Sequence, residues 1–299
     1  MIKQGAIVLL GVLFFTSGCN GQDVPEPSAS RTEAIPEPDS STLRLFSETM
    51  AFARAQDLKQ RPIGEIMTEL GERFVGKPYA AGLLDEPASE MLVCTLNEFD
   101  CVTFVESVLA MGRAIKRDAY DYETWAGYML DQRYRGGRLE GYCSRLHYFS
   151  DWILDNERRG TVRNITEEIG GVPFDKDLRF MTAHRESYPR FAENDSLYGC
   201  ILEMERRLRD ADLFYVPQDR IAETYDRLQA GDIIATATHI DGLDVTHTGL
   251  VYDAGDGGRG LLHASTSGGV KVSPDLQAYV QGVDAQIGII VARPLEPAN

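Results

Sequence analysis

Between Asp232 and Pro294 the chain breaks into short β-rich runs, "DIIATATHI", "VTHTGLVYDA", "GRGLLHAST", "GVKVSP" and "IGIIVARP", divided by Asp-Gly, Gly-Asp-Gly-Gly and Ser-Gly-Gly turns. Runs this short with glycine turns between them predict an antiparallel sheet or small barrel, because a parallel partner needs a longer crossover. What precedes them has a different period. Residues 43–74 carry two helical patterns, the second with Ile63, Ile66, Met67, Leu70 and Phe74 on one face and ending at Gly76. Residues 120–225 mix charged and apolar positions with few β-branched runs, and Ile201 to Leu208 is amphipathic, so this middle reads as mostly helical and irregular. An α+β architecture follows, a helical N-terminal half against a C-terminal sheet, with any site lying between them.

One stretch of the helical half carries chemistry. In "NEFDCVTFVE", Asp100 is placed to cap a helix whose apolar positions, Phe104, Val105, Val108, Leu109 and Ile115, follow at helical spacing. Cys101 then falls in the first turn. Unpaired backbone N–H groups and the positive end of the helix dipole favour a thiolate there, which predicts a lowered pKa. A nucleophile needs a base, and the chain has only five histidines. His184 and His239 read as ordinary surface or interior residues, and His147 is ambiguous. His247 opens the apolar run "HTGLVY" and His263 closes Leu261-Leu262, so a hairpin would set them side by side. One could take the proton of Cys101 while the other holds the first ring in its tautomer.

Rival uses of these residues are specific. Cys94, Cys101, Cys143 and Cys200 form an even set, and two disulfides would leave no nucleophile; Cys94, seven residues before Cys101, is the partner of concern. A domain of this length does not need such staples. A zinc site from Cys and two His lacks any Cys-x-x-Cys or His-Glu-x-x-His spacing, so no metal and no cofactor are expected. Thirty basic against 46 acidic residues, a net charge of −16, argue against nucleic acid as a partner. Within that acidic chain, Arg133, Arg135, Arg138 and Arg145 with Tyr134, Tyr142, Tyr148 and Trp152 form a local basic and aromatic cluster. It is either a solvated helix with a buried aromatic face or the wall of a groove that stacks on sugars and pairs with carboxylates.

The N-terminus has Lys3, an apolar run from Ala6 to Phe15, then Thr16, Ser17 and Gly18 before Cys19. It reads as a secretory signal, and the run is too short to span a bilayer. Residues from Asn20 to about Ser41 are rich in Pro, Ser and acidic side chains and predict a tether, with the folded domain starting near Thr42.

Taken in order, "GKPYAAG" with Tyr79, "FDCVTFVE" with Cys101, "AGDIIA" with Asp232, "HTGLVYD" with His247 and "LLHAST" with His263 resemble the blocks of the NlpC-type papain-like cell-wall hydrolases. The resemblance implies a papain-like fold in which Cys101 attacks an amide, His247 is its base and His263 orients His247. Val102-Thr103 stands where the common form has Ser-Gly, and the distance from Cys101 to His247 exceeds what a compact core needs. That insertion, at about residues 112–230, together with "QRYRGGRLEGYCSRLHYFSDWI", resembles the N-acetylmuramoyl-L-alanine amidase-like branch, over about Ile63 to Val291. The branch implies cleavage of muropeptides between the muramic acid lactyl group and L-alanine, with 1,6-anhydro muropeptides among the substrates. Tyr79, Asn97, Asp100, Arg145 and Tyr148 are the expected substrate contacts. The Gly-Cys junction resembles a bacterial lipoprotein signal, implying lipidation of Cys19 and a lipid-anchored protein of the cell envelope, on the periplasmic or outer-membrane side. The expected organisation is a signal over 1–18, a lipidated Cys and tether over 19–42, and one catalytic domain over 43–299. A γ-D-glutamyl-diamino acid endopeptidase and a non-catalytic muropeptide-binding lipoprotein are the alternatives.

Overall fold

The computed structural model describes residues 34–255 and 257–298. The expected signal, the lipidation site Cys19 and most of the tether lie outside the described residues. Ala34 and Ile35 already pack against the core, and helix α1 (Ser40–Ala55) opens under Asp39, whose side chain accepts from Ser41 and Thr42 N–H. Then come α2 (Ile63–Glu72), α3 (Cys101–Lys116), α4 (Tyr122–Arg133), α5 (Phe149–Arg158), strands β1 (Val162–Asn164) and β2 (Val172–Pro173), α6 (Phe180–Ala183), α7 (Asp195–Arg209) and β3 (Phe214–Pro217). The glycine-punctuated runs form β4 (Ile233–Thr238), β5 (Val245–Asp253), β6 (Arg259–Ser265), β7 (Gly269–Ser273) and β8 (Gln286–Pro294), with α8 (Leu276–Gln281) before the last.

The protein is α+β. One antiparallel sheet runs β2-β3-β8-β4-β5-β6-β7, and β8 also takes β1 on the edge that β3 occupies further along. β4 to β8 are the runs expected from sequence. β1 to β3 are not: the middle of the chain adds two to four residues at a time to the sheet, too few to show an alternating pattern. Both faces of the sheet are covered, which is why β4, "IIATAT", is buried at every position rather than at alternate ones. On one face Leu250, Leu262, Ala264 and Ile290 pack against α2 and α3 through Leu70, Phe104, Val108 and their neighbours. On the other, Val251, Leu261, Ile289 and Val291 meet Leu276 and Val280 of α8. The contact of α2 with the start of β4 is backbone on backbone: Gly231, at φ +82°, lies where a Cβ would stand 2.2 Å from the Gly64 carbonyl oxygen. This close seating fixes α2, α2 supports α3, and the first residue of α3 is thereby set against β5.

Cys143, ahead of α5, is disulfide-bonded to Cys200 of α7, with Cα atoms 5.9 Å apart. Cys94 and Cys101 are free thiols. The feared pairing of Cys94 with Cys101 is absent, and the bridge that does form ties two parts of the middle segment together.

Candidate active site

α3 begins on a reciprocal cap. Asp100 Oδ1 accepts from Thr103 N at 2.7 Å, and Thr103 Oγ1 accepts from Asp100 N at 2.9 Å. With the third amide used in the cap, the amides of Cys101 and Val102 are left to face the Cys101 sulfur, joined by the Thr248 amide from β5. Thr248 also donates its hydroxyl to the Cys101 carbonyl at 3.1 Å, locking β5 to the helix start. These amides favour a thiolate, as expected from sequence. Burial acts the other way and is larger, and the Asp100 carboxylate adds to it, so the thiol is pushed up to about 12. The expected lowering of the Cys101 pKa is therefore overturned: at rest the group is a thiol.

β5 and β6 carry the histidines. His247 Nε2 lies 2.7 Å from His263 Nδ1, with the rings nearly perpendicular at 87°. Leu250 pairs with Leu262, a register that puts Gly249 opposite His263 and His247 two residues further, on the same face of the pleat. His263 is fully buried, and its Nε2 reaches Ser273 Oγ on β7 at 3.0 Å. Tyr279 of α8 packs on both rings, 4.8 Å from His263 and 5.8 Å from His247 between centroids. Burial lowers His247 to about 4, and burial with the neighbouring His247 and Lys271 lowers His263 to about 3, so both imidazoles are neutral. With Nε2 of His247 turned to His263, its remaining nitrogen, Nδ1, is the one available as a base.

Cys101 and His247 open into one cavity of about 320 Å³. Its walls are Leu84 and Asp85 of the loop before α3, Tyr142 with the stretch from Arg145 to Phe149, Met181 and Tyr188, and the approach to and start of β5 from Leu243 to Thr248. The basic cluster does build a wall, but its charges are committed within the protein. Arg145 Nη1 donates to Leu84 O at 2.9 Å and the same guanidinium pairs with Asp85; Arg133 Nη1 donates to Val93 O at 2.6 Å; Tyr134 OH donates to Glu90 at 2.9 Å. Arg190 holds the carbonyls of Pro87 and Ala88. Together they hold residues 84–93, of which Leu84 and Asp85 line the cavity, against the rest of the protein. Beneath it Glu106 of α3 takes Arg133 Nε at 2.8 Å and Trp152 Nε1 at 3.1 Å. Burial pushes the Glu106 carboxyl upward, yet these partners are N–H donors, the environment of a carboxylate.

Tyr148 lines the cavity with its ring, while its hydroxyl donates to Glu205 at 2.8 Å and accepts from Met181 N at 3.0 Å. Tyr79 bridges Phe99 beside Cys101 and Asp100, and burial raises it to about 12. Asn97 is not brought to the cavity: its amide accepts from Ser41 Oγ at 2.7 Å and donates to Asp39, part of the cap of α1. Asp232 is buried and held by Arg293 at 2.8 and 2.7 Å. His147 does line the cavity; its Nε2 donates to Tyr142 O at 2.8 Å. Missed in the sequence were Glu106, Thr248, Gly249, Ser273 and Tyr279. Only Thr248-Gly249 left a signal, since they interrupt the apolar run that His247 opens.

The family model of AmiA-like proteins, described as N-acetylmuramoyl-L-alanine amidase-like, matches residues 69–289. Among curated proteins none matches the chain. An N-acetylmuramoyl-L-alanine amidase from Bacteroides uniformis ATCC 8492, solved by crystallography, is similar at 31% identity and TM-score 0.73, covering 78% of this chain and 98% of its own. A protein of Bacteroides fragilis named as a putative xylanase is similar at 33% identity and TM-score 0.70, covering 75% and 98%. A Legionella pneumophila protein at 18% identity and TM-score 0.61, covering 89% and 98%, shares the fold.

Proposed function

The chain belongs to the N-acetylmuramoyl-L-alanine amidase-like family, and from that premise we propose that it is a cysteine-dependent amidase that cuts the bond between the muramic acid lactyl carbonyl and L-alanine in muropeptides. The family and its structural neighbours support a peptidoglycan amidase-like role. The observation that carries the finer reading is the 2.7 Å contact of His247 with His263 beside a free cysteine at a capped helix start, all on one cavity. The block resemblance supports reading this arrangement as that of the NlpC-type papain-like superfamily.

In this reading the Cys101 sulfur attacks the lactyl carbonyl as His247 Nδ1 takes the thiol proton. Because thiol and imidazole are both neutral at rest, proton transfer accompanies attack rather than preceding it. The carbonyl oxygen becomes an oxyanion held by amides at the start of α3. His247 then returns its proton to the alanine nitrogen, the C–N bond breaks, and a thioester remains on Cys101. Water, deprotonated by His247, cleaves the thioester, releasing the sugar acid and restoring the thiol.

A glycosidase reading, prompted by the xylanase name, would need two free carboxyl groups across the cavity. Glu106 is engaged by Arg133 and Trp152, and Asp244 by Ser150 at 2.8 and 2.6 Å, which favours the thiol. We place the enzyme in the cell envelope, anchored through Cys19, acting on released fragments that include 1,6-anhydro muropeptides. Mass analysis of products from a defined muropeptide tests the bond. Free sugar and a peptide beginning with L-alanine support the amidase. A sugar still bearing L-alanine and D-glutamate, with the diamino acid fragment released, identifies the endopeptidase instead. Intact substrate that the protein nevertheless retains identifies a binding protein.

A further inference from the structure

We propose that Ser273 is a positioning residue for this reaction, the acceptor that lets the His247–His263 pair hold the thiol proton. The inference rests on the amidase reading of the same site but is tested apart from it.

A neutral imidazole has one N–H and one bare nitrogen, whereas an imidazolium has two N–H groups and no acceptor. While both rings are neutral, the proton between His247 Nε2 and His263 Nδ1 can sit on either side, and a hydroxyl at Ser273 can accept or donate to suit. Once His247 has taken the proton of Cys101 that freedom ends. His247 Nε2 must donate, His263 Nδ1 must accept, and the only N–H of His263 is then on Nε2, aimed at Ser273 Oγ 3.0 Å away. His263 is fully buried, and Ser273 Oγ is the acceptor that reaches that N–H. Ser273 is therefore required as the acceptor in the charged state, whereas at rest it is required only for the tautomer that leaves His247 Nδ1 bare. An interaction stronger as charge develops acts on turnover rather than on substrate binding.

The strands make this placement. His263 pairs with Lys271 and Leu261 with Ser273, so on the shared face Ser273 is the diagonal neighbour of His263. The titratable groups around the pair are Cys101 from α3, Tyr279 from α8, and Lys271 from β7, whose ammonium donates to Ser267 Oγ and O at 3.0 Å. None of these provides a second acceptor bonded to His263 Nε2.

The experiment is a nitrogen-15 NMR titration of the His247 ring in the full chain, wild type against Ser273→Ala and Ser273→Thr, followed by kcat and KM on a muropeptide. Without the acceptor the neutral pair can switch to the tautomer that places no N–H on His263 Nε2 and the protonated pair cannot, so His247 in Ser273→Ala should titrate about one unit lower. In turnover, kcat should fall about 10-fold with KM within twofold. Ser273→Thr keeps the hydroxyl and should restore both. A thermal melt near that of wild type shows that Ser273→Ala still folds. The titration needs no substrate: a shifted His247 with no muropeptide cut keeps the relay and removes the amidase reading. An unshifted His247, or equal losses in the Thr and Ala variants, overturns the relay whatever the enzyme cuts.

Discussion

Gly249 faces His263 so closely that a Cβ built on it would stand 2.9 Å from the His263 Cβ and 2.9 Å from the Leu262 carbonyl oxygen. Both of those atoms belong to the framework of β6 and neither can swing aside. The missing side chain is what leaves room for His263 to reach diagonally across to His247. Gly249→Ala should push the strands apart by a few tenths of an ångström and lengthen the 2.7 Å contact. A loss in kcat of about 10- to 100-fold is expected from such a displacement of a catalytic pair. Turnover at the wild-type rate in a folded Gly249→Ala protein would show that the pair does not depend on this gap.

The Arg133–Glu106 pair is almost completely buried, each side chain 1% exposed. Taking away one partner leaves an uncompensated charge beneath the cavity, which costs about 3–5 kcal/mol. Arg133→Ala should lose that much in urea unfolding. The double variant Arg133→Met with Glu106→Gln should lose clearly less than the two single changes together, because it buries no lone charge. Additive losses would mean that the two residues do not act as a pair.

What could be read from sequence was local. Asp100, Cys101 and the apolar spacing behind them define a helix start within a few residues, and β4 to β8 announce themselves through glycine turns. The sign of the Cys101 shift could not be read, since it depends on how deeply β5 and the cavity wall bury the sulfur. Arg133, Arg135 and Arg145 look like free cations in the sequence; their partners Glu106, Asp151 and Asp85 are brought to them only by the fold. Asn97 lies close to Cys101 along the chain yet turns to the cap of α1. Ser273 and Tyr279 carry no local mark of their role, because both reach His263 from separate elements.

Three histidines make the fold sensitive to acid. Burial holds His247 at about 4, and burial with nearby charge holds His147 and His263 at about 3, against 6.5 for the free side chain. The folded values are depressed, so below 6.5 the unfolded chain binds more protons. Their contribution is complete above 6.5 and declines as the pH falls toward about 3. Unfolding free energies at pH 7, 5.5 and 4 should fall, and His147→Gln should show a shallower decline because it removes one of the three. An unchanged slope in that variant would mean that His147 is not held neutral.

The Cys143–Cys200 bridge spans a sequence separation of 57 and ties the cavity wall at Tyr142 to α7. By loop-closure entropy such a cross-link restrains the unfolded chain by about 4 kcal/mol at most. Replacing both cysteines by serine should lower the unfolding free energy by about 2–4 kcal/mol. Treatment with a dithiol reductant should destabilise wild type and leave the double variant unchanged. A reductant effect of equal size in both proteins would show that the bridge is not formed.

The proposed reaction depends on the sulfur of Cys101, and turnover of a defined muropeptide by Cys101→Ala, next to wild type and with circular dichroism to verify the fold, tests this dependence most directly. Alanine is close in size to cysteine and suits the first turn of α3, so the fold should be kept while the thioester can no longer form. The expected result is a loss of about 10⁴-fold or more in kcat, the scale seen when a nucleophile is removed. A folded Cys101→Ala protein that still frees a peptide beginning with L-alanine at the wild-type rate would contradict it.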